Sequence, residues 1–324
     1  MSASWTWHGG GLDAARSHFG GEDWIDLSTG INPHAWSGID ALRIDWQRLP
    51  EGGALAALEA AAADCFGVDP RHVCAVPGTE VGLRLTGAML GGAARYLAPA
   101  YRTHGEMIAG ATPIAADTLD ADTGTLILAN PNNPDGRTLS PEQLLDLLGR
   151  RDADAWLLLD EAFADTDPAL SLAGWIDDAR RLLIFRSFGK FFGLAGVRLG
   201  FVLGPAPMID RIRAALGAWP VSAAAIAIGT AAYRDQAWIE TMHGRLRAEA
   251  GALDAALARA GYEATGACPL FRLIAAEDGM ALFERLARHA ILTRPFAEQP
   301  RWLRIGLPPS AEALARLEAA LAHG

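Results

Sequence analysis

The chain has 324 residues, 51% of them hydrophobic and 20% charged, enough for about two globular domains with sizeable cores. A net charge of −10 argues against broad binding to nucleic acid or anionic membranes, which takes basic patches, but leaves an anionic small substrate open because a site needs only local cations. Cys65, Cys74 and Cys268 show neither metal-ligand spacing nor a disulfide framework, so no metal is expected and a reducing cytoplasm fits.

Residues 1–40 form an arm rich in Gly, Trp and His, with no basic-then-apolar start of the kind a signal peptide has. His8-Gly9-Gly10-Gly11 is compatible with a hydrolase oxyanion loop, but that reading needs a G-x-S-x-G elbow, which the chain lacks. Asp26–Pro33 reads as a short strand running into a turn. From about 41 to 225 helix and strand alternate. Ala54–Cys65 is helical, Val73–Val76 a strand, and Pro77-Gly78-Thr79-Glu80 opens a helix through Leu90. A Gly-Thr turn at a helix start offers amides and a favourable dipole to a phosphate; the plain alternative is an ordinary N-cap. Further strands are expected at Arg95–Ala98, Leu126–Ala129, Trp156–Asp160, Leu182–Phe185 and Leu199–Leu203, with a helix at Pro141–Arg151. This alternation implies an α/β domain with a mostly parallel sheet flanked by helices. Asn133, Asp160 and Ser187 fall at or just after strand ends, where such sheets place ligands.

The uncharged run Ala214–Tyr233 has the length of a membrane span, but its Gly217, Pro220 and Ser222 point to a buried helix after a break at Trp219-Pro220. Beyond about 225 a helical stretch runs to Ala260. Strands near Leu270–Ala275 and Trp302–Ile305 and helices at Gly279–His289 and Ser310–Leu321 then make 226–324 a smaller α+β domain.

The stretch Arg186–Gly200 organises the rest. The apolar run Leu182–Phe185 leads into Ser187, Lys190 and Arg198, with glycines and small apolar residues between. A lysine among aromatic and small residues is poorly hydrated, so its amine deprotonates more easily and can act as a nucleophile; the alternative is a surface lysine in a turn.

The stretch resembles the S-x-x-K-x-x-G-x-x-G-x-R-x-G signature of the pyridoxal-phosphate enzymes of fold type I, the class I/II aminotransferase superfamily. Asn130-Pro131-Asn132-Asn133-Pro134 and Asp160-Glu161-Ala162-Phe163 match two more motifs of that superfamily, in the expected order. The resemblance implies that Lys190 carries pyridoxal phosphate as a Schiff base. It further implies that Gly78, Thr79, Ser187 and Arg198 hold the cofactor's phosphate, Asp160 its ring nitrogen and Asn133 its phenolic oxygen, while Tyr101 stacks on the ring. The alternatives are a helix cap for Asp160, a turn residue for Asn133 and a core residue for Tyr101.

The ends of the chain, His8-Gly9-Gly10 with Ser28–Pro33, and Ile291–Arg294 with Trp302–Ile305, resemble the threonine-phosphate decarboxylases of cobalamin biosynthesis, as does Phe163 where aminotransferase relatives carry Tyr. That likeness implies that His8, Asn32, Arg294 and Arg304 bind the phosphate and carboxylate of a phosphorylated amino acid, in a homodimer. The rival is an aminotransferase acting on another phosphorylated substrate such as histidinol phosphate. A cofactor-binding module of a transcription regulator would need a basic helix-turn-helix, for which the chain has no room. Two departures stand out. Asp135 replaces the usual Thr, and Arg48–Gly53 lacks the tyrosine that relatives send to a partner's cofactor phosphate.

Overall fold

The computed structural model describes residues 5–322; residues 1–4 and 323–324, the outer ends of the expected arm and C-terminal domain, lie outside the described residues. Thirteen strands run through the described residues: β1 (Ile25–Asp26), β2 (Val73–Val76), β3 (Ala94–Leu97), β4 (Thr112–Ile114), β5 (Thr125–Ala129), β6 (Leu157–Asp160), β7 (Leu182–Ser187), β8 (Gly200–Leu203), β9 (Ala264–Thr265), β10 (Phe271–Ala275), β11 (Ile291–Leu292), β12 (Arg294–Pro295) and β13 (Trp302–Gly306). Contacts divide the chain into two compact units. The larger comprises Ala35–Asn133 and Thr138–Thr241; the smaller takes the described residues up to His34, Pro134–Arg137, and those from Met242 on.

The larger unit is built on a seven-stranded sheet in the order β2-β8-β7-β6-β5-β3-β4. Strands β4, β3, β5, β6 and β7 pair in parallel, and β8 runs antiparallel to both β7 and β2. The expected mostly parallel α/β sheet is thus what the chain forms. Strands β2, β6 and β8 are buried along their whole length, as a sheet covered on both faces requires, and this is why they read as unbroken apolar runs. Val76, Ile127, Leu158, Leu183, Phe185 and Val202 pack into one core, each fully buried side chain contributing roughly 1.5–3 kcal/mol relative to exposure. The register aligns Ala129 with Asp160 and Asp160 with Phe185, so β5, β6 and β7 deliver their C-terminal ends to one edge.

In the smaller unit β12, β13, β10 and β9 form an antiparallel sheet, and β1 pairs in parallel with β11. Backbone bonds from Leu27 N–H to the Leu292 carbonyl and from Gly306 N–H to the Leu27 carbonyl, both 2.7 Å, tie the N-terminal segment into this unit. A Cβ on Gly306 would stand 2.5 Å from the Thr29 carbonyl oxygen, so only glycine permits the approach.

Two expectations need correction. The helical stretch to Ala260 is two helices, Ala223–Arg234 and Gln236–Arg259. Asp235 breaks it: its Oδ1 accepts from Trp238 N–H at 3.1 Å, capping the second helix, and its Oδ2 accepts from Trp36 Nε1 at 3.0 Å. Part of the uncharged run also belongs to a helix that the sequence reading does not assign, Ala206–Leu216, closed by Gly217 at φ 78°. The run then restarts at Ser222, whose hydroxyl caps Ala225. Among the described residues no helix is long and apolar enough to cross a membrane.

Candidate active site

The shared edge of β5, β6 and β7 opens onto a cavity of about 180 Å³. All eight residues expected around a cofactor line it: Gly78, Thr79, Tyr101, Asn133, Asp160, Ser187, Lys190 and Arg198.

Lys190 lies on the one-turn helix Phe188–Phe191 that follows β7 and is the only lysine in the chain. Its Nζ is 5.5 Å from the Phe163 ring centroid, and Phe188, Phe191 and Phe192 are all buried around that turn. Ser187 ends β7 without spending its hydroxyl on a helix cap. Arg198 has φ 56°, a left-handed conformation that costs a non-glycine residue on the order of 1–3 kcal/mol and is kept mainly where function demands it. Two glycines clear the space beside it. A Cβ on Gly78 would lie 2.9 Å from Arg198 Nη2, and one on Gly200 would lie 2.6 Å from the Thr79 nitrogen. Thr79 donates its hydroxyl proton to the Arg186 carbonyl at 3.0 Å, which fixes the rotamer. The result is a cradle of donors and one guanidinium, suited to a phosphate.

Asp160 is 6% exposed. Its Oδ1 accepts from Ala162 N–H at 3.0 Å and its Oδ2 lies 2.9 Å from His104 Nε2. A carboxylate can only accept, so Nε2 carries the proton. His104 is fully buried and is a residue the sequence reading misses. The available signal is its place three residues after Tyr101, on the short helix Arg102–Glu106.

The Asn-rich motif divides its labour. Asn130 binds the Leu139 backbone through both side-chain atoms, Asn132 donates to the Pro99 carbonyl at 2.9 Å, and Asn133 faces the cavity. Behind the site, Arg186 pairs with Glu161 at 2.8 Å and with Asp165, and lies 4.4 Å over the Phe66 ring. Burial raises the Glu161 carboxyl, opposed by the Arg186 charge. This bracket joins the residue after Asp160 to the residue before Ser187, and the sequence reading assigns it no role.

The other four expected residues belong to the smaller unit. Arg294 and Arg304, ten apart in sequence, are cross-strand neighbours on β12 and β13. Arg304 is 7% exposed, donates to the Ser28 carbonyl at 2.8 Å and lies over Phe271. Burial and the charge of Arg294 pull its guanidinium down to about 10. Arg294 reaches the Trp5 carbonyl at 3.4 Å. Gly9 packs on the Ser28 carbonyl, and Gly10 N–H donates to Ser28 Oγ at 2.7 Å, so the arm carrying the exposed His8 is anchored to a residue that Arg304 also contacts. Asn32 is buried, its Oδ1 accepting from His34 N–H at 2.9 Å.

The sequence profile of the family described as aminotransferase class I and II matches residues 111–321. The chain belongs to this family. It is 42% identical to a threonine-phosphate decarboxylase of Sinorhizobium sp over 327 residues, 98% of this chain and 97% of the relative. It is 38% identical to a threonine-phosphate decarboxylase of Pseudomonas aeruginosa, with coverage of 97% and 96%. Among solved structures, histidinol-phosphate aminotransferase from Sinorhizobium meliloti in complex with pyridoxal-5'-phosphate superposes with a TM-score of 0.81 at 20% identity, over 97% of this chain and 94% of that one. The protein is a pyridoxal-phosphate enzyme of fold type I. The cavity fits that cofactor chemically: it holds a donor-rich cradle cleared by two glycines, a buried carboxylate, a half-exposed aromatic ring and the single lysine.

Proposed function

We propose that the chain decarboxylates L-threonine O-3-phosphate to (R)-1-amino-2-propanol O-2-phosphate for cobalamin biosynthesis, as a cytoplasmic homodimer. The observation that carries this reading is the cross-strand pair Arg294 and Arg304. Two guanidiniums placed opposite each other concentrate positive charge at one place on the sheet, which favours an anion there. A phosphate of charge about −2 answers both cations better than a carboxylate does. The full-length likeness to threonine-phosphate decarboxylases supports the same substrate.

Pyridoxal phosphate supplies an electron sink for the pair released when a bond to the substrate Cα breaks. Thr79, Ser187 and Arg198 grip the cofactor phosphate, and Gly78 leaves room for it. Asp160, held by His104, keeps the ring nitrogen protonated through its opposite charge. Asn133 donates to the phenolic oxygen and Tyr101 covers one ring face. Lys190 Nζ would hold the cofactor, and its amine is the group that could supply a proton once CO2 has left. His8, Asn32, Arg294 and Arg304 bind the substrate phosphate. Anchoring of the phosphate there would leave the carboxylate unheld, which would favour its loss as CO2. Phe163 offers no hydroxyl to the phenolic oxygen.

Dimer formation is supported by a largely apolar groove that includes Ala54, Ala57, Ile226, Ala227 and Ala231, and by Trp46 and Leu49, which are 77% and 63% exposed. The deciding assay is release of CO2 from threonine phosphate with no keto acid present. Turnover of histidinol phosphate that depends on 2-oxoglutarate, with no CO2 from threonine phosphate, would establish an aminotransferase instead.

A further inference from the structure

Glu80 lines the cofactor cavity next to Thr79, where a carboxylate would repel a phosphate if its charge were free. The charge is committed elsewhere. Oε1 accepts from Arg84 Nε at 2.5 Å, Thr103 Oγ1 lies 3.0 Å from Oε1 and 2.8 Å from Oε2, and the Tyr101 hydroxyl donates to Oε2 at 3.0 Å. Arg84 is in turn held by Glu106 at 2.7 Å, and Glu106 by Arg102 at 3.0 Å. Burial pushes the Glu80 carboxyl up, but the hydrogen bonds from Arg84, Thr103 and Tyr101 outweigh it and leave it lowered, so it is ionised at neutral pH.

Tyr101 precedes the helix Arg102–Glu106, is 38% exposed, and meets His104 edge-on, with centroids 5.8 Å apart and planes at 86°. A tyrosine ring turns about two soft torsions. His104 limits the ring from one edge. Fixing the para oxygen removes the remaining freedom, and Glu80, with Thr103 beside it, fixes it.

We propose that Glu80 is a positioning residue: it tethers the Tyr101 hydroxyl so that the phenol presents a set face to the cofactor ring, and its charge is used in that contact rather than facing the cofactor phosphate. This rests on the reading that the cavity binds pyridoxal phosphate at Lys190. It also gives a polar aromatic a reason to stand where a phenylalanine would stack equally well.

The test uses the holoenzyme and the variants Tyr101→Phe, Glu80→Ala, Glu80→Gln and the double variant Tyr101→Phe/Glu80→Ala. The readouts are the rate of pyridoxal-phosphate release and the visible circular dichroism of the bound cofactor, which reports ring orientation. Tyr101→Phe and Glu80→Ala should each speed release by roughly three- to tenfold, the scale of a spoiled aromatic contact, and weaken the dichroism alike. The double variant should match the larger single effect, because both changes cut one contact. Glu80→Gln keeps an acceptor and should restore most of the retention. Tighter retention in Glu80→Ala, single effects that multiply, a Glu80→Gln no better than Glu80→Ala, or release as slow as wild type would each overturn the proposal. If the wild type itself takes up no cofactor at Lys190, the reading of the cavity fails instead.

Discussion

Replacing Arg294 by Gln should separate substrate binding from folding. Arg294 lies directly opposite Arg304, and like charges in that position cost on the order of 0.2–1 kcal/mol. Removing the charge relieves that repulsion. It forfeits the contact of Arg294 with the Phe296 ring at 5.3 Å, worth about 0.5–1 kcal/mol near the surface. The 3.4 Å approach to the Trp5 carbonyl is long for a hydrogen bond and adds little. Arg294 is a part-buried residue on the short edge strand β12, where substitutions are tolerated, so the ligand-free holoenzyme should melt within about 3 °C of wild type. Binding is another matter. Losing one partner of a desolvated charge pair costs roughly 2–5 kcal/mol, which raises Kd at least about 30-fold. The product aminopropanol phosphate carries the same phosphate and cannot lose CO2, so it serves as the probe. At about 100 times its Kd it stabilises wild type by about 2.7 kcal/mol; at that concentration the variant should gain at most about 0.9 kcal/mol. Thermal melts of the holoenzyme with and without product measure both quantities. A variant that keeps the full ligand-induced rise would show that the phosphate does not use Arg294. A fall of more than about 6 °C without ligand would show that Arg294 has a structural role as well.

Asp160→Asn should keep the cofactor but lose roughly two to three orders of magnitude in turnover; retention of more than roughly a tenth would refute its role at the ring nitrogen. His104→Phe removes a hydrogen bond to a charged group, worth about 1.5–3 kcal/mol, and should slow turnover about 10- to 150-fold with cofactor still bound, whereas a loss below about threefold would detach His104 from the chemistry. Borohydride should bleach the visible band and leave one adduct, on the peptide containing Lys190; an adduct on the α-amino group instead would contradict the assignment. Burial pushes the Cys65 and Cys74 thiols up to about 12, so at pH 8 in native buffer neither should react with a thiol reagent until the protein unfolds, and peptide mapping after alkylation checks this.

Six of the seven strands of the large sheet were legible in the sequence, most clearly β5, β6 and β7, which are near-continuous apolar runs with a polar residue where the edge begins; the edge strand β4, three residues long and mostly exposed, gave no such run. The motif residues were legible for a related reason, since Asp160 and Ser187 end those runs. Other parts of the site are three-dimensional facts. His104 is a lone histidine until the turn after Tyr101 swings it onto Asp160. Glu80 and Arg84 read as a surface i,i+4 pair until Tyr101 and Thr103 arrive from another element. Arg294 and Arg304 become neighbours only through the antiparallel register of β12 and β13. The break at Asp235 was hidden because good helix formers flank it, and its partner Trp36 comes from 199 residues away.

That Lys190 is the only lysine makes this enzyme chemically addressable in an unusual way. Every other basic side chain is an arginine or a histidine, so an aldehyde meets just one ε-amine. With Lys190 as the proposed attachment point, cofactor loading has no competing side-chain amine on which to go astray. An acylating dye becomes a gauge of vacancy, since beyond the α-amino group it can mark only molecules whose Lys190 has not yet been claimed.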